Sequence, residues 1–321
     1  MKTQLFDFEQ LQQLPLTEHE KINWVDQALR LQDQVELPAK ISLKPSQETF
    51  YNFMPVVIPA MNIAGVKVID RIPGHQPALT SHILLYNLAS GELKAVLDGT
   101  YITAIRTGAV AVHSIQLLAK SQFNRVGFIG LGNQARATAK TLLATHQGEP
   151  LQVVLLRYKD QAAAFKRYLL SLQSPHLVDV KVVARPEAVF AESDVVVSSV
   201  TYAEKDLLSD PNVMRPGTLL VPIHTRGFMN LDPLVDRVYC DAIAQIRNFK
   251  YFNRFKAVAQ MDAVVKGEVP GRQNDQERLT VYNIGTALQD LFFAERLYEM
   301  ANAHGQASFD WHEPQRKAWY Q

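Results

Sequence analysis

A glycine-rich turn between an apolar run and a run of helix formers carries the clearest chemical signal in this sequence. The segment reads RVGFIGLGNQARATAK. Gly130 predicts a tight turn after a strand, Gly132 leaves room for the backbone to approach a pyrophosphate, and small Ala135 permits close packing of the next helix. The N–H groups at the helix start, near Asn133 and Gln134, are expected to hold the phosphates. Because a bare GxGxxA also occurs in ordinary loops, the flanking strand and helix are needed to predict a dinucleotide site.

The residues after the second strand of this region bear on the choice of nucleotide. An acidic residue at the end of that strand usually binds the adenosine ribose, but here LQVVLL is followed by Arg157, Tyr158, Lys159 and Asp160. Two cations favour a 2′-phosphate, so NADP is predicted over NAD. NAD stays open, because the cations are also typical of a solvated turn and Asp160 is able to reach the ribose. Ser199, at the end of the run DVVVSSV, is predicted to line the cofactor site.

Two cations precede the nucleotide segment in apolar or small-residue surroundings. Lys67 lies within AGVKVID and Arg106 within TAIRTGA. A buried cation without a partner costs several kcal/mol, so each needs an anion. That anion is either an internal carboxylate, such as Asp70 or Asp98, or the carboxylate of a substrate. We favour the substrate, with Arg106 as a two-pronged clamp and Lys67 as a second point charge.

The rest of the chain predicts the elements that carry these residues. Residues 18–34 have the apolar spacing of an amphipathic helix, and alternating runs after Pro38 predict strands with a hairpin turn at Ala89-Ser90-Gly91. Residues 103–119 have helical composition. From residue 121 onward, apolar β-branched runs alternate with helical stretches, which predicts an α/β fold with a doubly wound parallel sheet. A long amphipathic helix, TALQDLFFAERLYEMANA, precedes a polar tail.

The composition predicts a cytoplasmic protein of two domains. A chain of 321 residues exceeds what one hydrophobic core usually serves. Lys plus Arg (33) nearly balance Asp plus Glu (32), which argues against a nucleic-acid partner. The start of the chain, MKTQLFDFEQLQQL, lacks the pattern of a signal peptide, and no run has transmembrane length, so no membrane partner is expected. The nine histidines show no ligand-like spacing, and no metal site is predicted.

Several motifs together make the chain resemble the ornithine cyclodeaminase and μ-crystallin family of NAD(P)-dependent enzymes. In chain order they are Met54-Pro55, Gly65-Val66-Lys67, Leu97-Asp98-Gly99, the run TAIRTGA from Thr103 to Ala109, the glycine turn from Gly130 to Ala135, and Gly285-Thr286-Ala287-Leu288-Gln289-Asp290. They follow the family's order and spacing over roughly residues 40–300. As a set they are far more specific than the glycine turn alone.

This resemblance implies a homodimer whose subunits each have two domains. An α+β domain for substrate binding and dimerisation would comprise residues 1–119 with 294–321. A Rossmann domain would comprise residues 120–293.

The resemblance also implies where the substrate binds. In the family, the basic residues that match Lys67 and Arg106 bind the α-carboxylate of an amino or imino acid. Lys44 is the nearest candidate for a third basic residue, which is more often an arginine. The nicotinamide is expected near Asn283 and Gly285. Lys67 is also a candidate for moving the proton of the amine.

One segment departs from the family's pattern. After the fifth Rossmann strand, ornithine cyclodeaminases have an aspartate that engages the distal amine of the substrate. This chain reads VPIHTRGF from Val221 and has no carboxylate before Asp232. Arg226 is expected to repel an ornithine ammonium, and His224 is a candidate proton donor. Both residues are also compatible with a loop that faces solvent.

Three functions follow from these observations. The leading prediction is an NAD(P)-dependent oxidoreductase that reduces a 2-imino acid or a cyclic ketimine, or that oxidises an α-amino acid. The second is an ornithine cyclodeaminase, which forms proline and ammonia. The third is a non-catalytic, nucleotide-dependent binding protein of the μ-crystallin type.

Overall fold

The computed structural model describes residues 2–302, except 202 and 204, and residues 308–310. The strands are Lys2–Phe6 (β1), Ile41–Leu43 (β2), Phe50–Ile58 (β3), Ile63–Arg71 (β4), Leu79–Asn87 (β5), Leu93–Asp98 (β6), Arg125–Ile129 (β7), Leu151–Leu156 (β8), Leu177–Val183 (β9), Val195–Ser198 (β10), Leu219–Pro222 (β11), Arg237–Cys240 (β12), Val258–Gln260 (β13), Leu279–Tyr282 (β14) and Ser308–Asp310 (β15). The α-helices are Phe8–Gln12 (α1), Glu18–Arg30 (α2), Gly99–Leu118 (α3), Asn133–Thr145 (α4), Gln161–Ser171 (α5), Pro186–Ala191 (α6), Ile243–Ile246 (α7), Met261–Val265 (α8) and Ala287–Asn302 (α9).

The chain divides into two compact units. The first unit comprises Met1–Pro15, Leu31–Thr103 and Ala287–Gln321. The second comprises Leu16–Arg30 and Ala104–Thr286. This division differs from the domain boundaries expected at residues 119/120 and 293/294. Helix α2 belongs to the second unit because it packs against α4 and α8. The boundary at residue 103 falls within the continuous helix α3.

Two helix ends also differ from the sequence-based expectation. Helix α3 begins before residue 103, because the Asp98 carboxylate accepts a hydrogen bond of 2.7 Å from the Tyr101 N–H, as an N-terminal cap does. Helix α2 ends at Arg30, and residues 32–34 continue it only as a short 3-10 turn.

The first unit is built on a mixed sheet with the strand order β15-β1-β6-β5-β4-β3-β2. Strands β2 to β6 form an antiparallel meander, and β1 adds in parallel to β6. The predicted hairpin turn joins β5 to β6, where Gly91 has a φ of +74° and its N–H donates to the Asn87 carbonyl at 2.9 Å. Helix α9 packs against β3, β4 and β5. Its buried apolar residues cover the central strands of this sheet.

The second unit contains a wholly parallel sheet with the order β13-β12-β14-β11-β10-β7-β8-β9. From β7 the chain proceeds outward through β8 and β9 and then crosses back to β10 on the other side of β7. The predicted doubly wound sheet is therefore confirmed, with its switch point between β7 and β10. Strand β14, the last of this sheet in the chain, inserts between β11 and β12. Among the helices of the described chain, none combines the length and apolar composition needed to span a lipid bilayer.

Candidate active site

The glycine turn lies at the switch point of the parallel sheet, where β7 and β10 end. Gly130 has a φ of +81°, and a Cβ there would lie 2.7 Å from the backbone carbon of Ser199 and the backbone nitrogen of Val200. A side chain at this position is therefore excluded by both the backbone conformation and the space. The Ser199 hydroxyl donates a hydrogen bond of 3.1 Å to the Gly130 carbonyl. This bond fixes the turn against the end of β10.

The start of helix α4 offers the space that a pyrophosphate needs. Gly132 directly precedes α4, and a Cβ built on it would have no atom within 4 Å. Gly132 and Asn133 are exposed, Gln134 is half-buried, and Ala135 is fully buried against the sheet. Unpaired N–H groups at an exposed helix start attract anions. The local structure thus fits a dinucleotide, and we refer to residues 130–135 with Ser199 as the nucleotide cradle.

The two cations after β8 lie at the surface. Arg157 and Lys159 are both exposed, and neither forms an ion pair with any residue that the structure describes. The Arg157 N–H donates to the Val183 carbonyl at 2.8 Å, which ties the end of β8 to β9. Lys159 has a positive φ of 47° and its Nζ lies 5.4 Å from the ring centroid of Tyr158. Their side chains remain accessible to an anionic group.

A second group of site residues surrounds the end of β14. Arg106 on α3 is buried, and its guanidinium lies against Gly285, which has a φ of +85°. A Cβ on Gly285 would lie 2.7 Å from Nη2 of Arg106 and closer still to Nη1. Asp241 follows β12 and accepts a hydrogen bond of 2.6 Å from the Gly285 N–H. We call Arg106, Asp241 and Gly285 the arginine cluster.

Polar side chains hold this cluster in place. The Asn283 amide donates to Asp241 at 3.3 Å and to the Ser114 hydroxyl at 3.1 Å. The Gln245 amide donates to the Gly285 carbonyl at 2.8 Å. The structure therefore brings predicted site residues Arg106, Asn283 and Gly285 together. It also adds Asp241, which the sequence did not single out.

The electrostatics of the arginine cluster depend on Asp241, which is almost completely buried. Burial raises the pKa of Asp241. The hydrogen bonds from Gly285 and Asn283 and the positive charge of Arg106 act in the opposite direction. An internal carboxylate thus neighbours Arg106, and it is neither Asp70 nor Asp98. The binding of a substrate carboxylate by Arg106 stays a prediction.

His224 follows β11, between the nucleotide cradle and the arginine cluster in the order of the strands. Its Nε2 lies 2.7 Å from the hydroxyl of buried Ser198. Burial lowers the pKa of His224 to about 4, and a hydrogen bond to the Arg226 backbone acts in the opposite direction. The ring is therefore neutral near pH 7, which favours hydrogen bonding over proton donation by an imidazolium. The Arg226 side chain is exposed.

Asp232, the first carboxylate after this loop, does not replace the missing acid. It is fully buried and accepts a hydrogen bond of 2.9 Å from the Tyr282 hydroxyl. Burial raises its pKa to about 8. A buried carboxyl group that is hydrogen-bonded to Tyr282 and protonated near pH 7 carries no charge for a substrate amine.

In the first unit, Lys67 on β4 is buried and forms an ion pair with buried Asp290 of α9. The two carboxylates that the sequence suggested as partners of the buried cations have other roles. Asp70 accepts a hydrogen bond from Thr80, and Asp98 caps α3. Asp290 was not predicted as a partner, although its position in the family's last motif was an available signal. Lys44 lies beyond β2 and is exposed, and β3 separates that strand from β4.

Among the described residues, no group of three or more His, Cys, Asp or Glu side chains is arranged to hold a metal ion.

Comparison with known proteins shows that the chain matches one protein family. The sequence model of the Ornithine cyclodeaminase/mu-crystallin family matches residues 2–305. Delta(1)-pyrroline-2-carboxylate reductase of Bacillus cereus is 25% identical over 277 residues, which cover 78% of this chain and 82% of that protein. Iminosuccinate reductase of Paracoccus denitrificans is 27% identical over 283 residues, with coverages of 81% and 84%.

Solved structures show the same fold. The structure of Thermococcus litoralis Delta(1)-pyrroline-2-carboxylate reductase in complex with NADH and L-proline superposes with a TM-score of 0.82. It is 22% identical, and the match covers 96% of this chain and 100% of that one. The predicted fold class, a Rossmann unit with a second α+β unit, is thereby confirmed.

Proposed function

Because the chain belongs to the ornithine cyclodeaminase/mu-crystallin family, we propose that it is an NAD(P)-dependent oxidoreductase acting at the α-carbon of an amino or imino acid. Both relatives described above are reductases whose names specify a carbon–nitrogen double bond beside a carboxylate. Their names support a reductase that acts on a 2-imino acid or a cyclic ketimine. The same chemistry in reverse oxidises an α-amino acid.

The observation that carries the proposal is the arrangement of one edge of the parallel sheet. Strands β7 and β10 end at the nucleotide cradle, and β12 and β14 end at the arginine cluster. Strand β11 lies between these two pairs and ends just before His224. Ligands of open α/β sheets bind outside the carboxyl ends of the strands at the switch point. The residues proposed to hold the cofactor and the cation proposed to bind the substrate therefore lie at one edge of the sheet.

The substrate carboxylate is assigned to Arg106 and Lys67, with Lys44 as a third candidate. A guanidinium has five N–H donors and an ammonium has three. The neighbouring carboxylates Asp241 and Asp290 are thus compatible with a further anion on each cation. A two-pronged contact from Arg106 would fix the orientation of the substrate, and such positioning accounts for much of the catalysis in a hydride transfer.

The cofactor would be held by residues of the second unit. Backbone N–H groups at Gly132, Asn133 and Gln134 are suited to the pyrophosphate. Exposed Arg157 and Lys159 favour NADP, although NAD stays open. A bound nicotinamide supplies or accepts the hydride.

Proton movement at the substrate nitrogen needs a residue of the chain. Reduction of an imine adds a hydride at carbon and a proton at nitrogen, and we assign that proton to Nζ of Lys67. His224, as a neutral ring paired with Ser198, is assigned a hydrogen-bonding role beside the substrate.

The sequence disfavours ornithine cyclodeaminase activity. There is no carboxylate from Val221 to Leu231, and Arg226 occupies the loop in which cyclodeaminases present an acid. At an effective dielectric near 20, two like charges about 4 Å apart cost roughly 4 kcal/mol. Because the Arg226 side chain is exposed, solvent and salt would screen this repulsion, and the loss in affinity or rate for an ornithine ammonium would be smaller than this figure implies.

A single assay separates the candidate functions. The purified protein is incubated with a panel of amino acids and of 2-keto acids plus ammonia, with NAD(H) or NADP(H), while the absorbance of the reduced nicotinamide is followed. A net change in absorbance supports the oxidoreductase. Proline formed from ornithine without a net change would establish the cyclodeaminase instead. Cofactor binding without any product would leave the non-catalytic binding protein.

Assembly and location are also proposals. A homodimer is expected from the family resemblance, and light scattering coupled to size-exclusion chromatography tests it. The cytoplasmic location stays a prediction of the sequence, which cell fractionation tests.

A further inference from the structure

Two ion pairs join helix α9 to the sheet of the first unit. Lys67 on β4 pairs with Asp290, and Lys94 on β6 pairs with Glu295. The first pair is almost completely buried, with side-chain exposures of 1% and 0%. The second is more accessible, at 17% and 7%, and its lysine also lies 4.6 Å from the ring centroid of Tyr298. The two pairs have the same chemistry and differ in burial.

A glycine brings α9 close enough for the buried pair to form. Gly65 lies on the same face of β4 as Lys67, because side chains alternate along a strand. A Cβ on Gly65 would lie 2.6 Å from Cδ2 of Leu291, the residue after Asp290. The helix backbone can therefore approach β4 at this point, which places the Asp290 carboxylate at the end of the Lys67 side chain.

The strand partners of Lys67 in the sheet are uncharged side chains. The sheet register places Met54 of β3 and Ile83 of β5 beside it. On the same face, the β4 residues two positions before and after Lys67 are Gly65 and Ile69. Gly65 pairs with Val56 and Leu85, and Ile69 pairs with Asn52 and Ser81. The ionisable residues of α9 are Asp290, Glu295, Arg296, Tyr298 and Glu299. Among these, Glu295 pairs with Lys94, and Arg296 pairs with Glu299.

We infer that Asp290 is a positioning residue that keeps the Lys67 amine in the ammonium form and directs its Nζ. This inference rests on the proposed role of Lys67 at the substrate. Burial by itself favours a neutral amine, whereas an adjacent carboxylate favours the charged one. Only the charged form attracts a substrate carboxylate and has a proton to give to the product nitrogen. The helix that closes the first unit thereby sets the charge of a residue proposed to act on the substrate.

The first test compares Asp290→Asn with the matched control Glu295→Gln, using wild-type protein and its best substrate. Both substitutions replace a helix carboxylate, paired with a sheet lysine, by its isosteric amide. In Asp290→Asn we expect the alkaline limb of the plot of kcat against pH to move to lower pH by roughly 1–3 pH units. We also expect kcat at neutral pH to fall at least tenfold. In Glu295→Gln the limb stays at its wild-type pH. Asp290→Glu, which restores the charge, is expected to return the limb toward the wild-type position.

A second measurement does not depend on turnover. Protein labelled with 13C and 15N in lysine is titrated by NMR, and the Lys67 signal is assigned by its absence in Lys67→Arg. We expect the Lys67 amine to lose its proton at lower pH in Asp290→Asn than in wild type or in Glu295→Gln. The signal also reports whether Asp290→Asn is folded, and Asp290→Glu provides a charged variant for comparison.

The outcomes separate this inference from the proposed function. If no substrate is turned over but the Lys67 titration moves, the proposed function fails and Asp290 still controls the charge of Lys67. If the wild type is active and neither the titration nor the alkaline limb moves in Asp290→Asn, the inference is overturned. It is equally overturned if Glu295→Gln moves both to the same extent, because the effect would then reflect the packing of α9.

Discussion

Replacing Asp232 with asparagine should stabilise the protein at neutral pH. The carboxyl group is fully buried, and its pKa is raised by burial to about 8, against 3.8 for an exposed aspartate. In the unfolded chain it is ionised at pH 7, so folding at that pH must take up a proton on this group. Asparagine cannot ionise, and its carbonyl can still accept the hydrogen bond from Tyr282.

The size of the effect follows from the difference between pH 7 and the unfolded pKa. At about 1.4 kcal/mol per unit, proton uptake costs about 4 kcal/mol of unfolding free energy. The new amide N–H₂ needs a partner of its own, and leaving it unpaired costs about 1–3 kcal/mol, so a net gain of roughly 1–3 kcal/mol is expected. Between about pH 4 and pH 8 the folded state holds the extra proton, so the wild-type free energy of unfolding falls as the pH rises. Above about pH 8 this fall ends, because Asp232 is then ionised in both the folded and the unfolded state.

The prediction is tested by urea denaturation of wild type and Asp232→Asn at several pH values from about 5 to about 8, which gives the unfolding free energy of each protein at each pH. The stability difference between the two proteins should widen by about 1.4 kcal/mol per pH unit. Asp179→Asn, at an exposed position on β9, is the control and should differ from wild type by less than about 0.5 kcal/mol. A difference for Asp232→Asn that is constant with pH would refute the reasoning, since it would mean that the buried group is ionised in the folded state.

Four further substitutions test the proposed site. Gly132→Asp should abolish dinucleotide binding by calorimetry with the fold intact by circular dichroism, because a carboxylate would enter the space before α4; unchanged affinity would contradict the cradle. Arg157→Asp should weaken NADP binding by about 1.5–3 kcal/mol, and a wild type that already binds NAD tenfold better than NADP would show that the assignment is wrong. Arg106→Ala and Lys67→Ala should each lower kcat/KM by orders of magnitude with little change in cofactor affinity. Their effects should be non-additive if one carboxylate is shared, and full additivity would separate the two sites.

The parts of this protein that depend on local chemistry were predictable from the sequence. The strand, glycine turn and helix around Gly130 follow from neighbouring residues, since a positive φ and close backbone approach require glycine wherever the chain folds this way. The parallel sheet followed from apolar runs with helices between them. The family motifs were confirmed by the match over residues 2–305.

The partners of the buried cations were not predictable in the same way. Asp70 and Asp98 are near Lys67 and Arg106 in the sequence, but Asp290 and the cluster around Asp241 provide the observed carboxylates. Burial explains why a cation needs an anion but does not determine which one. The choice depends on which strands and helices become neighbours.

The sequence by itself determined which segments form strands and helices, where the glycine turn lies, and to which family the chain belongs, because these properties depend on residues close together or on their order. The tertiary structure decided the environment of each charge. Strand β14 inserts between β11 and β12, which brings Gly285 to Asp241, and Gly65 admits α9 so that Asp290 reaches Lys67. Burial then makes His224 neutral and keeps Asp232 protonated. Desolvation and charge pairing are set by distances in space, and no local pattern in the chain contains them.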